Sequence, residues 1–322
     1  MTYLVTGGTG FIGVYVVRDL LKLGARVVCF DIDPNPRLLG AVVPPEALEN
    51  VTVVRGDITD WSQLLHALKE HRIERVIHLA SLLTSSSEAN FPLALKVNCQ
   101  GTNHVFEGAA LLGLEKVVWA SSVAVFGPRS MGSDGMVLND APHDPQTVYG
   151  ACKSYNERMA LHYVRQYDLD ITGLRFTLVY GYGKTTTVSR GTGVGYLSEL
   201  IDKPALEQGP SVVPYGDDQM DWLYVEDVSR AVVLASQAGK TRTKAFTVRG
   251  DLRPMRQVFD YVRQLLPEAD MTLQPGRYRQ TWQFDGSVTR DELGYAPEYT
   301  IEEGIKRNIN MLRQGPGLPM IE

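Results

Sequence analysis

Apolar runs of strand length recur along the chain, at Tyr3–Thr6, Arg26–Asp31, Val51–Arg55, Arg75–Leu79, Lys116–Ser121 and Ile171–Arg175. Segments of helical period lie between them, at Phe11–Leu23, Trp61–His71, Pro92–Leu112 and Val148–Tyr167, the second opened by a capping Asp60. Strands alternating with helices predict an α/β fold. Right-handed crossovers place helices on both faces of the strands, so the sheet is expected to be parallel and doubly wound.

The rhythm breaks at Pro34–Asn50, with four prolines, and at Gly127–Thr147, both read as long irregular loops. Beyond Arg175 it loosens: Gly181–Gly195 is rich in Gly and Thr, a helix is expected near Tyr196–Ile201, and Pro204–Pro214 ends it. Later helices are expected at Val225–Ala238, Met255–Leu266 and Ile301–Arg313. Residues 1–180 with about 215–245 then form the sheet domain, and about 181–214 and 246–322 a smaller discontinuous C-terminal lobe that covers the carboxyl edge and binds substrate.

Composition narrows the class. Of 322 residues 44% are hydrophobic, enough for a sizeable core, and 32 Lys and Arg against 37 Asp and Glu leave a net charge of −5. A surface that wraps nucleic-acid phosphates needs the opposite balance. No apolar run approaches the roughly 20 residues that span a bilayer, and a strand-like run from Thr2 to the turn at Gly7 leaves no room for a secretory leader. The expected partners are therefore a small molecule, with neither nucleic acid nor membrane. Cys29, Cys99 and Cys152 are odd in number and widely spaced, which suits a reducing cytoplasm and suggests neither a disulfide framework nor a metal site.

Candidate chemistry begins at Thr6-Gly7-Gly8-Thr9-Gly10-Phe11-Ile12-Gly13, between the first strand and first helix. Gly7, Gly10 and Gly13 allow a sharp turn and a close approach of pyrophosphate to bare backbone, with the N–H groups of the first helical turn, at Phe11 and Ile12, facing it. Asp31 closes the next strand 21 residues after Gly10, where a carboxylate accepts hydrogen bonds from the adenosine ribose and repels a 2′-phosphate. This is a Rossmann fingerprint for NAD rather than NADP, although Arg37 is near enough in sequence to meet a phosphate.

Tyr149-Gly150-Ala151-Cys152-Lys153 puts a phenol and an ammonium four residues apart, on one helix face. A phenol is a poor base at neutral pH; an ammonium and the positive nicotinamide ring are expected to pull it toward about 7. Tyr149 then exchanges a proton with a substrate oxygen, Lys153 binds the nicotinamide ribose, and hydroxyls at Ser121-Ser122, ending a strand, hold the substrate oxygen.

With GGTGFIG, GDITD (56–60), HLAS (78–81), VNCQGTNHVFEGA (97–109), WASSVAVFG (119–127), YGACK and LRFTLVYG (174–181), the chain resembles the extended short-chain dehydrogenases/reductases, in their NAD-dependent epimerase/dehydratase branch. The resemblance covers about the first 180 residues and returns at 215–235. It implies Ser122, Tyr149 and Lys153 as catalytic residues. It puts Asp57 and Ile58 at adenine, Leu79, Ala80 and Ser81 at ribose and pyrophosphate, Ser121 at the cofactor, Asn98 in support, and Phe176, Thr177 and Val179 beside the nicotinamide. It also implies a homodimer built from the Pro92–Leu112 and Val148–Tyr167 helices, with apolar Val105, Leu111 and Leu112 compatible with that face or with an internal core.

Departures from the family pattern bear on the reaction. Dehydratases carry Thr-Asp-Glu at the catalytic position and decarboxylating members a glutamate two residues on; here Ser122 is followed by Val123 and Ala124. Nucleotide-sugar members place asparagine where Leu178 stands and a diphosphate-binding arginine where Met220 stands, beside Asp217 and Asp218. One lost bidentate Arg–phosphate contact removes about 1.5–3 kcal/mol. The expected activity is reversible hydride transfer on a smaller substrate such as a sugar, sugar acid, polyol or hydroxy acid, with Lys184, Arg190 or Arg129 available to a carboxylate. A 4-epimerase that retains NAD and acts on a sugar or nucleotide sugar, and a non-catalytic NAD sensor, are the alternatives.

Overall fold

A computed structural model describes residues 1–185, 195–278 and 282–322. Arg190 lies outside them. Seven strands form the central sheet: β1 (Thr2–Thr6), β2 (Arg26–Asp31), β3 (Val51–Arg55), β4 (Arg75–His78), β5 (Lys116–Ser122), β6 (Ile171–Phe176) and β7 (Ala245–Val248). Their spatial order is β7-β6-β5-β4-β1-β2-β3, and every pairing is parallel. The chain direction across the sheet reverses between β1 and β4, which opens a crevice at their carboxyl ends.

Alternation along the strands builds a core on each face. In β5, Val117 and Trp119 join one cluster with Phe106, Leu64 and Ile171, while Val118 joins the other with Val14, Val17 and Val228. That second cluster continues through Tyr196, Leu200, Val213, Phe259 and Ile305, so the C-terminal segments share the core of the sheet. Among the described residues no helix is long and apolar enough to cross a membrane.

Helices follow the periodicity closely. Asp60 caps the Trp61–Glu70 helix by accepting from the Ser62 and Gln63 amides, and Thr147 caps Val148–Tyr167 through the Gly150 amide. Four departures are structural. Ala245–Val248, in the stretch expected to belong to the smaller lobe, is instead the seventh strand. Pro34–Asn50 is not irregular: Pro at the first helical turn starts two short helices, Pro36–Val42 and Pro45–Asn50. The run expected as one helix over Pro92–Leu112 contains a π-helical turn at Leu95–Gly101. Helical structure also continues through Pro204, at the first turn of Lys203–Ala205.

Of the apolar positions offered for a dimer face, Val105 is buried in the chain's own core, Leu112 packs against it, and Leu111 is exposed. Phe91, Leu93, Leu95, Tyr155 and Tyr167 are exposed on the same helices.

Candidate active site

The crevice is lined first by the glycine turn. Gly7 has φ +69°, open to glycine without strain, and a Cβ there would meet the Ala80 backbone at 3.1 Å. At Gly10, the N-cap of the Phe11–Lys22 helix, a Cβ would meet only the Gly7 carbonyl oxygen among the described residues, at 3.1 Å, and otherwise enter open space, a cradle beside the turn. Gly10 has no side chain to cap the first-turn amides, which suits an anion site at the helix N-terminus. Asp31 is buried at the end of β2; its carboxylate accepts from Thr9 Oγ1 at 2.8 Å and from the Asp33 amide at 3.2 Å. Arg37 is exposed. Cradle, amides and carboxylate together fit an adenine dinucleotide.

Neighbouring strand ends bring further residues to this edge. The Gly56 amide donates to the Asp31 carbonyl, which sets Asp57 and Ile58 beside β2; Asp57 accepts from the Thr59 amide at 2.8 Å and Ile58 packs where Gly101 leaves room. Thr6 Oγ1 accepts from the Leu79 and Ala80 amides, both at 3.2 Å, tying β1 to the segment after β4. Buried Asn98, inside the π-helical turn, accepts from the Leu82 amide at 2.8 Å and from Ser81 Oγ at 3.1 Å, and donates to the Leu82 carbonyl at 3.0 Å.

Ser122, Tyr149 and Lys153 converge at the end of β5. Ser122 Oγ accepts from the Ala124 amide at 3.1 Å, and the serine hydroxyl favours ionisation of the Tyr149 phenol. Lys153 Nζ donates to the Ala120 carbonyl at 2.7 Å and stands 5.3 Å from the Tyr149 ring centroid. Burial pushes the phenol up to about 12, opposed by the Ser122 hydroxyl, and pushes the ammonium down to about 8. Lys153 alone therefore does not produce the expected phenol near 7, because it bonds a backbone carbonyl and burial disfavours the phenolate. Ser121, expected at the cofactor, turns its hydroxyl to Glu157 Oε1, at 2.7 Å.

Ser122 and Tyr149 line a cavity of about 470 Å³ that also takes in Phe176, Thr177, Leu178, Met220 and Lys184. Burial lowers Lys184 to about 8. Thr177 Oγ1 donates to Asp221 Oδ1 at 2.8 Å. Asp218 reaches the cavity, but its carboxylate accepts from the Gln219 and Tyr278 amides; Asp217 accepts from the Gly276 amide. Val179 is buried in the core and is not among the lining residues, nor is Arg129, which binds Asp144 through Nε at 2.8 Å. Of these two cations, Lys184 lines the cavity and Arg129 does not.

Sequence reasoning missed the aromatic wall. Tyr196 and Tyr278 line the cavity, Tyr215 packs against both with centroids 5.8 and 5.2 Å away, and Trp282 and Phe284 close another side. Phe284 gets there because Gln283–Phe284 pairs with Met136–Val137, two-residue strands too short to leave a periodic signal.

The profile of the NAD-dependent epimerase/dehydratase family matches residues 3–248. The chain belongs to this family. As a member of the NAD-dependent epimerase/dehydratase family it uses NAD. It is 26% identical to a dTDP-glucose 4,6-dehydratase of Xanthomonas campestris, over 96% of this chain and 92% of that protein. The crystal structure of a Thermus thermophilus UDP-glucose 4-epimerase in complex with NAD superposes with a TM-score of 0.79 at 25% identity, covering 97% of this chain and 99% of the other. An L-threonine dehydrogenase from Cupriavidus necator also has a TM-score of 0.79, at 23% identity and the same coverage, which speaks for the fold. Its relatives thus include a dehydratase and an epimerase, and membership of the family supports an NAD-dependent enzyme.

Proposed function

We propose that the chain interconverts a secondary alcohol and a ketone on a small hydroxylated substrate. The observation that carries this reading is Ser122 and Tyr149 together on the cavity wall, with Val123 and Ala124 following Ser122, so that no carboxylate stands where dehydration or decarboxylation needs one. Ser122 orients the substrate oxygen, Tyr149 takes or returns its proton, and Lys153 holds the nicotinamide ribose and favours phenolate. Gly7, Gly10, Phe11, Ile12 and Gly13 cradle the pyrophosphate, and Asp31 the adenosine ribose. Bound NAD supplies the hydride acceptor and a positive ring that adds to the pull of Lys153 on the phenol.

Met220 and the apolar and aromatic wall disfavour a diphosphate-linked sugar, and Lys184 suits a substrate carboxylate. The test is NADH formation, by absorbance, across sugars, sugar acids, polyols, hydroxy acids and UDP-sugars. Turnover confined to UDP-sugars overturns the small-substrate reading. The likeness to a UDP-glucose 4-epimerase at 25% identity favours a second reading, an epimerase; NAD carried through purification with no net NADH identifies it. The exposed face of Phe91, Leu93, Leu95, Tyr155 and Tyr167 supports a homodimer through these helices.

A further inference from the structure

Three consecutive residues ending β5 face three successive turns of the Val148–Tyr167 helix. Ser122 shares the cavity wall with Tyr149, the Ala120 carbonyl accepts from Lys153, and Ser121 Oγ donates to Glu157. Tyr149, Lys153 and Glu157 stand four apart and form one stripe on the helix. Glu157 is itself anchored: Arg175 on β6 donates from Nε to Oε1 at 2.8 Å and from Nη2 to Oε2 at 2.6 Å, while His143 Nε2 lies 3.2 Å from Oε2. Arg175 is fixed in turn by the Asn139 carbonyl at 2.6 Å and by the Phe126 ring, 4.9 Å from its guanidinium. Ser121, Glu157 and Arg175 are all buried. A buried ion pair contributes little to stability beyond what apolar packing would give, so this one reads better as a device that fixes geometry.

We propose that Glu157 is the positioning residue of the site. Its carboxylate, held by Arg175, holds Ser121 and so sets the backbone from which Ser122 reaches Tyr149. Adjacent residues of a strand point to opposite faces, so a fixed Ser121 side chain also fixes the direction of Ser122. Ser122 Oγ already accepts from the Ala124 amide, which leaves its hydrogen for the phenol. Freed from Glu157, Ser122 turns away, the phenolate loses a donor, and proton transfer slows while NAD binding is kept. The inference rests on the hydride-transfer reading above.

The test uses Ser121→Ala, Glu157→Gln and the double variant of the full chain with NAD bound. Ser121→Ala leaves the Arg175–Glu157 pair in place and so spares the fold. Each single change is expected to lower kcat about tenfold, with KM and NAD affinity within about twofold, and the double is expected to be no worse than Glu157→Gln. The second readout is ultraviolet titration of the Tyr149 phenolate, taken as the difference from Tyr149→Phe; its midpoint is expected to move to higher pH in both single variants. This titration needs no substrate, so it decides the matter even if no alcohol is turned over and the hydride-transfer reading fails. Multiplicative losses in the double variant, or an unmoved midpoint, overturn the proposal.

Discussion

A Cβ placed on Gly13 would stand 2.1 Å from the carbonyl oxygen of Gly7. The first helix therefore rests directly on the turn that precedes it, and the fold itself demands glycine there. Gly10 is different, since a Cβ there meets protein only at 3.1 Å, from the same carbonyl. Gly13→Ala is expected to cost about 1–3 kcal/mol of stability or to prevent folding. Gly10→Ala is expected to keep stability within about 1 kcal/mol yet lose the thermal shift that NAD confers, because the methyl enters the cradle. Thermal unfolding of both proteins with and without NAD checks the contrast.

Asp31 keeps its carboxylate buried and oriented by Thr9 and the Asp33 amide. Removing its charge takes away charge-assisted bonds to the ribose and the repulsion of a 2′-phosphate. Asp31→Asn is expected to weaken NAD about 10-fold or more and to narrow the preference over NADP, read by calorimetric titration of both cofactors.

Tyr149→Phe removes only the phenolic hydroxyl on the cavity wall. Turnover is expected to fall by about 10²–10⁴, the usual worth of a positioned acid–base group, while NAD affinity is retained. Full activity in this variant would remove Tyr149 from the mechanism.

The inner strands were legible because burial on both faces leaves continuous apolar runs, and the Val148–Tyr167 helix matched its expected bounds. The glycine turn and the Tyr149–Lys153 pair stand out in the sequence because their spacing is local, whereas Ser122, 27 residues before Tyr149, is set apart from Ser121 only by the family resemblance. Glu157 was not: its worth comes from Ser121, Arg175 and His143, all distant in sequence, and on its own it looks like a solvated helix residue. Ala245–Val248 is too short to announce a seventh strand, and the Tyr196, Tyr215 and Tyr278 cluster assembles only in three dimensions.

Glu157 also predicts a pH dependence. Burial alone would raise its carboxyl, but the hydrogen bonds and charges of Arg175 and His143 reverse this and hold it at about 2, against an ordinary 4.5. A folded value below the unfolded one gives stability that is present above about 4.5 and lost as pH falls toward 2. The amplitude is on the order of 3 kcal/mol. Glu157→Gln is expected to lower stability at pH 7 and to flatten this part of the profile, followed by denaturant unfolding from pH 7 to the acid limit.

The central claim is hydride transfer between NAD and a small hydroxylated substrate at Ser122, Tyr149 and Lys153. Absorbance at the NADH band tests it most directly, with NAD, the purified protein and a panel of free sugars, sugar acids, polyols, hydroxy acids and UDP-sugars. The account predicts NADH from at least one substrate that carries no nucleotide, abolished by Tyr149→Phe. Turnover of UDP-sugars alone, or NADH formation that survives Tyr149→Phe, would contradict it.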